Sequence, residues 1–139
     1  MILINSFKLP NCIVIRALKH IRNHKMDNKI PLFSELEATI NELILLNKSI
    51  IVLTNGNVQQ QKNKMNQIDW KEIKKLNFVF ANEIAPKPSP ESVFSILKES
   101  RCERERTLFI GDSEVDMQCA KAARIDFLNV NIILNKTII

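Results

Sequence analysis

The chain has 139 residues, 45% of them hydrophobic, which fits a single domain with one buried core. Because it has neither an apolar run long enough to span a membrane nor a secretory signal pattern, we expect a soluble cytoplasmic protein with no membrane partner. A net charge of +5 suits an anionic partner, and three scattered cysteines without nearby histidines indicate reduced thiols rather than disulfides or a zinc site.

The N-terminal segment holds two short apolar runs, residues 1–4 and 12–15, and either fits a first strand. A basic excess at near-helical spacing follows. We interpret it as a solvated helix face rather than an RNA-binding ridge, because no nucleic-acid motif or aromatic cluster accompanies it. Its members are Arg16, Lys19, Arg22, Lys25 and Lys29, with His20 and His24 among them.

The next stretch alternates helix and strand signals. Residues 31–46 carry an apolar stripe at helical spacing with Ser34 as a possible cap, and the β-branched run 49–54 predicts a buried strand. The polar stretches 58–67 and 69–75 are predicted as helices or helical turns, and residues 78–80 as another short strand.

The alternation continues to residue 130. After a proline-rich loop, residues 89–100 predict a helix with Ser89 as its cap and Pro90 in its first turn. Strands are predicted at residues 107–110 and 127–130, with a helix at 114–123 between them. Short, solid apolar strands alternating with helices predict an α/β fold, a Rossmann-like, mainly parallel sheet with helices on both faces.

Polar residues follow three of the predicted strands. Thr54 and Asn55 end one strand, Gly111 and Asp112 end another, and Lys87 lies beyond a third. Ligands of parallel sheets bind at the carboxyl ends of the strands. The sequence therefore predicts a site where a hydroxyl, an ammonium and a carboxylate meet.

Three motifs, in this order, resemble those of the haloacid dehalogenase superfamily. They are VLTNG at residues 52–56, KPSPE at residues 87–91 and IGDSEVD at residues 110–116, which contains the pattern GDSxxD. The resemblance covers roughly residues 30–130. It implies one domain over residues 1–139, with a core at 31–130, an atypical N-terminal segment or cap remnant at 1–30, and a reduced or truncated cap.

The resemblance also implies roles, since most members of this superfamily are magnesium-dependent phosphatases. Asp112 and Asp116 would hold Mg²⁺, which favours oxygen ligands, while Glu114 falls at a spacing that faces solvent. Thr54, Asn55 and Gly56 would bind the phosphoryl group of a small phosphorylated molecule. Lys87 would neutralise its charge, so Thr54 and Lys87 are the catalytic residues that the resemblance implies.

The superfamily's first motif, which carries the nucleophilic aspartate, has no counterpart at either N-terminal apolar run. The first acidic residue is Asp27, and the residues before it do not form a buried-strand pattern. Hydrolysis is therefore expected to be impaired and Mg²⁺ binding weakened. Three explanations stay open: a fragment, a pseudoenzyme that binds a phosphorylated ligand or a protein, and a site completed by a partner chain or a homo-oligomer.

Overall fold

The computed structural model describes residues 12–16, 30–32, 34–70 and 73–133. Five parallel strands form the main sheet in the order β5-β3-β1-β6-β7. They are β1 (Cys12–Arg16), β3 (Ser49–Thr54), β5 (Leu76–Phe80), β6 (Thr107–Gly111) and β7 (Asp126–Asn129). Two-residue strands β2 (Ile30–Pro31) and β4 (Ile68–Asp69) pair separately, also in parallel.

Helices cover both faces of this sheet, as the sequence predicts. They are α1 (Ser34–Leu45), α2 (Val58–Gln67), α3 (Glu91–Ser100), α4 (Glu114–Ala123) and the short α5 (Val130–Ile133). One apolar cluster joins α1, α2 and α5 to one face of the sheet, and a second joins α3 and α4 to the other. The strands are solid apolar runs because both of their faces are buried. None of the helices in these described ranges is long and apolar enough to cross a bilayer.

The second N-terminal apolar run fills the central strand position. β1 pairs with β3 on one side and with β6 on the other, and Ile13, Val14 and Ile15 are buried. The sheet therefore has no gap between the strands that carry the second and fourth motifs. Residues 1–11 and 17–29, with the first apolar run and most of the basic excess, lie outside the described residues.

Several predicted boundaries shift. Ser34, predicted as a possible cap before the helix, is instead the first residue of α1. Leu46 was predicted on the apolar stripe of this helix, but it lies beyond the end of α1 and is 48% exposed. Pro90, not Ser89, is the N-cap residue of α3, although the Ser89 hydroxyl accepts from the Glu91 N–H at 3.4 Å.

Two predicted segments differ in detail. Residues 69–75 are predicted as a helix or helical turns, and the structure has a 3-10 turn at Ile73–Lys75 but places Asp69 at the end of β4. The last strand ends at Asn129, one residue early, because Val130 begins α5.

Candidate functional site

The predicted residues lie at the carboxyl ends of β3 and β6 and beyond that of the edge strand β5. Thr54 ends β3, Gly111 ends β6 with Asp112 directly after it, and Lys87 lies in the loop between β5 and α3. Between β3 and β6, β1 ends at Arg16, whose Cα lies beside that of Leu53. The parallel register thus places all these positions along one edge of the sheet.

Lys87 and Asp116 form a buried ion pair. The Lys87 Nζ lies 2.7 Å from the Asp116 Oδ1, and the two side chains are only 2% and 0% exposed. The ammonium also lies 5.7 Å from the centre of the Phe109 ring, within the range of a cation–π contact. Low exposure makes this pairing obligatory, since either charge alone would be buried without compensation.

Asn55 fixes the main chain of Lys87. Its Oδ1 accepts from the Lys87 N–H at 2.8 Å, and its Nδ2 donates to the Lys87 carbonyl at 2.9 Å. The peptide bond that follows, Lys87–Pro88, is cis. The Asn55 amide therefore joins the loop after β3 to the loop after β5, and it sets where the Lys87 side chain starts.

Two further amides contact the loop that follows β3. The Thr54 hydroxyl donates to the Gln61 Oε1 at 2.9 Å, with the Asn55 carbonyl as a second acceptor at 3.3 Å. The Gly56 N–H donates to the Asn82 Oδ1 at 3.1 Å. Gln61 belongs to α2 and Asn82 to the 3-10 turn after β5, so two separate elements reach this loop.

The turn from β6 into α4 presses Asp116 against the sheet. Ser113 is the N-cap of α4, its hydroxyl accepts from the Asp116 N–H at 3.2 Å, and the Asp116 Oδ2 accepts from the Ser113 N–H at 3.4 Å. A Cβ at Gly111 would lie 2.7 Å from that Oδ2. Glycine is required here by this close approach, and the reciprocal cap directs the Asp116 carboxylate toward Lys87.

Cys119 lies one turn further along α4 and is fully buried. Burial raises the pKa of its thiol to about 11, with a smaller increase from Asp116 and an opposing decrease from Lys87. Its Sγ–H donates to the Ser89 carbonyl at 3.3 Å. Cys119 is therefore a neutral packing residue beside the ion pair.

The two aspartates predicted to bind metal differ in their surroundings. Asp112 is half-buried, whereas both oxygens of Asp116 accept hydrogen bonds within the protein. Glu114 is exposed and accepts from the Gln118 side chain, as its spacing predicts. No group of three or more histidine, cysteine, aspartate or glutamate side chains in the described ranges is arranged to hold a metal. These residues alone do not make a complete Mg²⁺ site.

The structure brings Thr54, Asn55, Lys87 and Asp116 into one network, and it places Gly56 and Asp112 beside this network. Three residues of this network were not predicted as site residues: Gln61, Asn82 and Ser113. Ser113 had a signal, since Ser-x-x-Asp before a helix is a capping pattern. Gln61 is one of three consecutive glutamines and Asn82 lies in a short turn, so no local signal distinguished either residue.

Solved structures share this fold at low sequence identity. CbbY from Rhodobacter sphaeroides in complex with phosphate is 19% identical, with a TM-score of 0.63 over 73% of this chain and 46% of that one. A mutant of CbbY in complex with xylulose-(1,5)bisphosphate gives 19% identity and a TM-score of 0.64 over 74% and 47%. A Had-superfamily hydrolase from Ehrlichia chaffeensis is 15% identical, with a TM-score of 0.61 over 89% of this chain and 88% of that one.

The chain thus spans about half the length of CbbY, but most of the Ehrlichia protein. No curated protein sequence matches it. The family described as haloacid dehalogenase-like hydrolase matches residues 3–130, which is most of the chain and includes β1 and all three motifs. The chain therefore belongs to the haloacid dehalogenase-like hydrolase family.

Proposed function

We propose that this chain is a phosphohydrolase-type domain that binds the phosphate group of a small phosphorylated molecule and hydrolyses it poorly or not at all. The binding residues are Thr54, Asn55, Gly56 and Lys87. Two observations support this site: these residues lie at one edge of the sheet, and the related CbbY has been crystallised with phosphate and with a sugar bisphosphate. A lysine and backbone and hydroxyl donors are suitable partners for phosphoryl oxygens.

The proposal of impaired hydrolysis rests on the residue at the end of β1. This strand occupies the centre of the sheet, between the strands ending in Thr54 and Gly111, and it ends in Arg16. The sequence has no carboxylate from residue 1 to residue 26. A covalent aspartyl-phosphate needs a carboxylate beside the bound phosphorus, and an arginine cannot replace it as a nucleophile.

The ion pair suggests separate roles for the two motif aspartates. Asp116 holds the Lys87 ammonium at 2.7 Å, so we propose that it positions Lys87 and does not bind metal directly. Asp112 is then the carboxylate for a weak Mg²⁺ contact. Lys87 neutralises charge on the bound phosphate. Such electrostatic stabilisation, together with positioning, is the main contribution of a protein to phosphoryl transfer.

Hydrolysis of an aryl phosphate by the purified chain, with and without Mg²⁺, tests this proposal. Asp112→Asn is the informative variant, and Glu114→Gln, an exposed acid two residues away, is its matched control. We expect little or no turnover by the wild-type chain above the background of Asp112→Asn. Rapid magnesium-dependent turnover that is lost in Asp112→Asn and kept in Glu114→Gln would contradict the proposal and require a carboxylate from elsewhere.

The alternative function is a wholly noncatalytic domain that binds a phosphorylated ligand or a protein. The same feature, a central strand that ends without a carboxylate, favours it. Binding of orthophosphate in the presence of EDTA, without any turnover, is its expected signature.

We further propose one domain over the whole chain and a cytoplasmic location. A partner chain that supplied a nucleophile would produce turnover only when it was added.

A further inference from the structure

The proposed phosphate site depends on hydrogen-bond donors, because phosphoryl oxygens only accept. A threonine hydroxyl and a backbone N–H each have one hydrogen to give. In this structure the Thr54 hydroxyl gives its hydrogen to the Gln61 Oε1 at 2.9 Å, and the Gly56 N–H gives its hydrogen to the Asn82 Oδ1 at 3.1 Å. Two donors of the loop after β3 are therefore already used by side-chain carbonyl oxygens.

The local backbone is shaped to receive the Gln61 amide. Gly56 has φ of +111°, which other residues rarely adopt, and a Cβ there would lie 2.9 Å from the Gln61 Nε2. Gln61 is held in turn by the start of α2, where its N–H donates to the Asn57 carbonyl at 2.9 Å. The absence of a side chain at position 56 thus lets the amide of Gln61 lie against the loop.

We propose that Gln61 and Asn82 set the affinity of this site by competing with the ligand. Their amide oxygens take the places of ligand oxygens on Thr54 and Gly56, and an incoming phosphate must displace both. The inference rests on the proposed phosphate site. Both residues lie outside the three motifs. Gln61 belongs to the largely polar helix α2, and Asn82 is exposed on the 3-10 turn after β5.

Orthophosphate binding measured by isothermal titration calorimetry tests the competition. Gln61→Met removes the carbonyl oxygen while keeping the length of the side chain, and Asn82→Ala removes the other. Each variant should bind orthophosphate about five-fold more tightly than the wild-type chain, the factor expected for releasing one hydrogen bond. The double variant should gain about 25-fold, because the two contacts use different donors.

Two controls separate competition from a general change in the loop. Gln60→Met alters the neighbouring exposed glutamine and should leave the Kd unchanged. Thr54→Val should abolish the gain from Gln61→Met, since that gain acts through the Thr54 hydroxyl, and should leave the gain from Asn82→Ala in place. If Gln61 had only a structural role, Gln61→Met would change the Kd for orthophosphate by the same factor with and without the Thr54 hydroxyl.

The outcomes distinguish this inference from the proposed function. If all the proteins bind orthophosphate with the same Kd, or if Gln61→Met and Asn82→Ala bind it more weakly, the competition is overturned and the phosphate site stands. If none of them binds it, including the double variant, the proposed phosphate site fails and the competition fails with it. Tighter binding by the variants supports both.

Discussion

Lys87 and Asp116 are the two charged side chains that the described residues bury. Removing one charge of such a pair leaves the other in a poorly solvated place, which costs far more than the pair itself contributes. Lys87 comes from the loop before α3 and Asp116 from the first turn of α4. Their contact therefore ties the third motif to the fourth.

Lys87→Met is expected to lower the free energy of unfolding by about 3–5 kcal/mol, because it leaves the Asp116 carboxylate buried without its partner. Adding Asp116→Asn should recover part of this loss. Urea unfolding followed by circular dichroism measures both. Lys121→Met removes an exposed lysine from α4 and should change stability by less than about 0.5 kcal/mol. Equal losses in Lys87→Met and Lys121→Met would contradict the buried pair.

The motifs indicated which residues lie together at the edge of the sheet, but not all of their contacts. The placement of Thr54, Asn55 and Lys87 at one edge of the sheet was predictable, because each ends or follows a predicted strand. The pairing of Asp116 with Lys87 was not, because the two lie 29 positions apart and each motif is complete by itself. The contacts of Gln61 and Asn82 were equally hidden, since amides give no local pattern of charge or periodicity.

The turn from β6 into α4 is held by a reciprocal capping box between Ser113 and Asp116. Ser113 and Asp116 each satisfy a backbone N–H of the other, so the start of the helix and the position of the carboxylate depend on the same two residues. Loss of the serine hydroxyl would therefore loosen both the helix end and the acid that holds Lys87.

Ser113→Ala should lower the free energy of unfolding by about 1 kcal/mol, the usual cost of losing an N-cap hydroxyl. Thermal and urea unfolding provide the measurement. Ser95→Ala, in the middle of α3, is the matched control, because its hydroxyl has only a 3.5 Å contact with Glu99. A loss in Ser113→Ala no larger than in Ser95→Ala would show that the cap contributes nothing.

Helices and strands were predictable where their local pattern is strong. The run 49–54 is a strand and the polar stretch 58–67 is a helix, at the residues expected for both. The predicted boundary was wrong at Asp69. This residue belongs to β4, because it pairs with Pro31 of β2, a residue far away in the chain, and the predicted helical turn is confined to Ile73–Lys75. Local propensity does not contain this information.

The central position of β1 makes residues 12–16 part of the core of the molecule. Its partners on both sides are buried strands, and Ile13 is 1% exposed. The sequence offered two apolar runs for this position. Only the register with β3 and β6 selects residues 12–16, and register is a property of the whole sheet.

Ile13→Ala tests this placement of β1. We expect it to lower the free energy of unfolding by about 2–5 kcal/mol, the usual cost of truncating a buried isoleucine. Ile132→Ala, the same change at a residue that is 47% exposed, should cost less than about 0.5 kcal/mol. Urea unfolding of the two variants side by side is decisive, because small and equal effects would place residues 12–16 outside the core.

Asn55 gives the molecule a thermodynamic link between two loops. Because its amide is bonded to both the N–H and the carbonyl of Lys87, the loop after β3 and the loop after β5 share one set of contacts. Linkage is reciprocal. If a ligand bound at Thr54 changes the strength of the contacts between Asn55 and Lys87 by some factor, then breaking these contacts must change the affinity for that ligand by the same factor. The main chain of Lys87 can therefore affect ligand affinity through this one amide, in addition to any contact that the Lys87 ammonium makes.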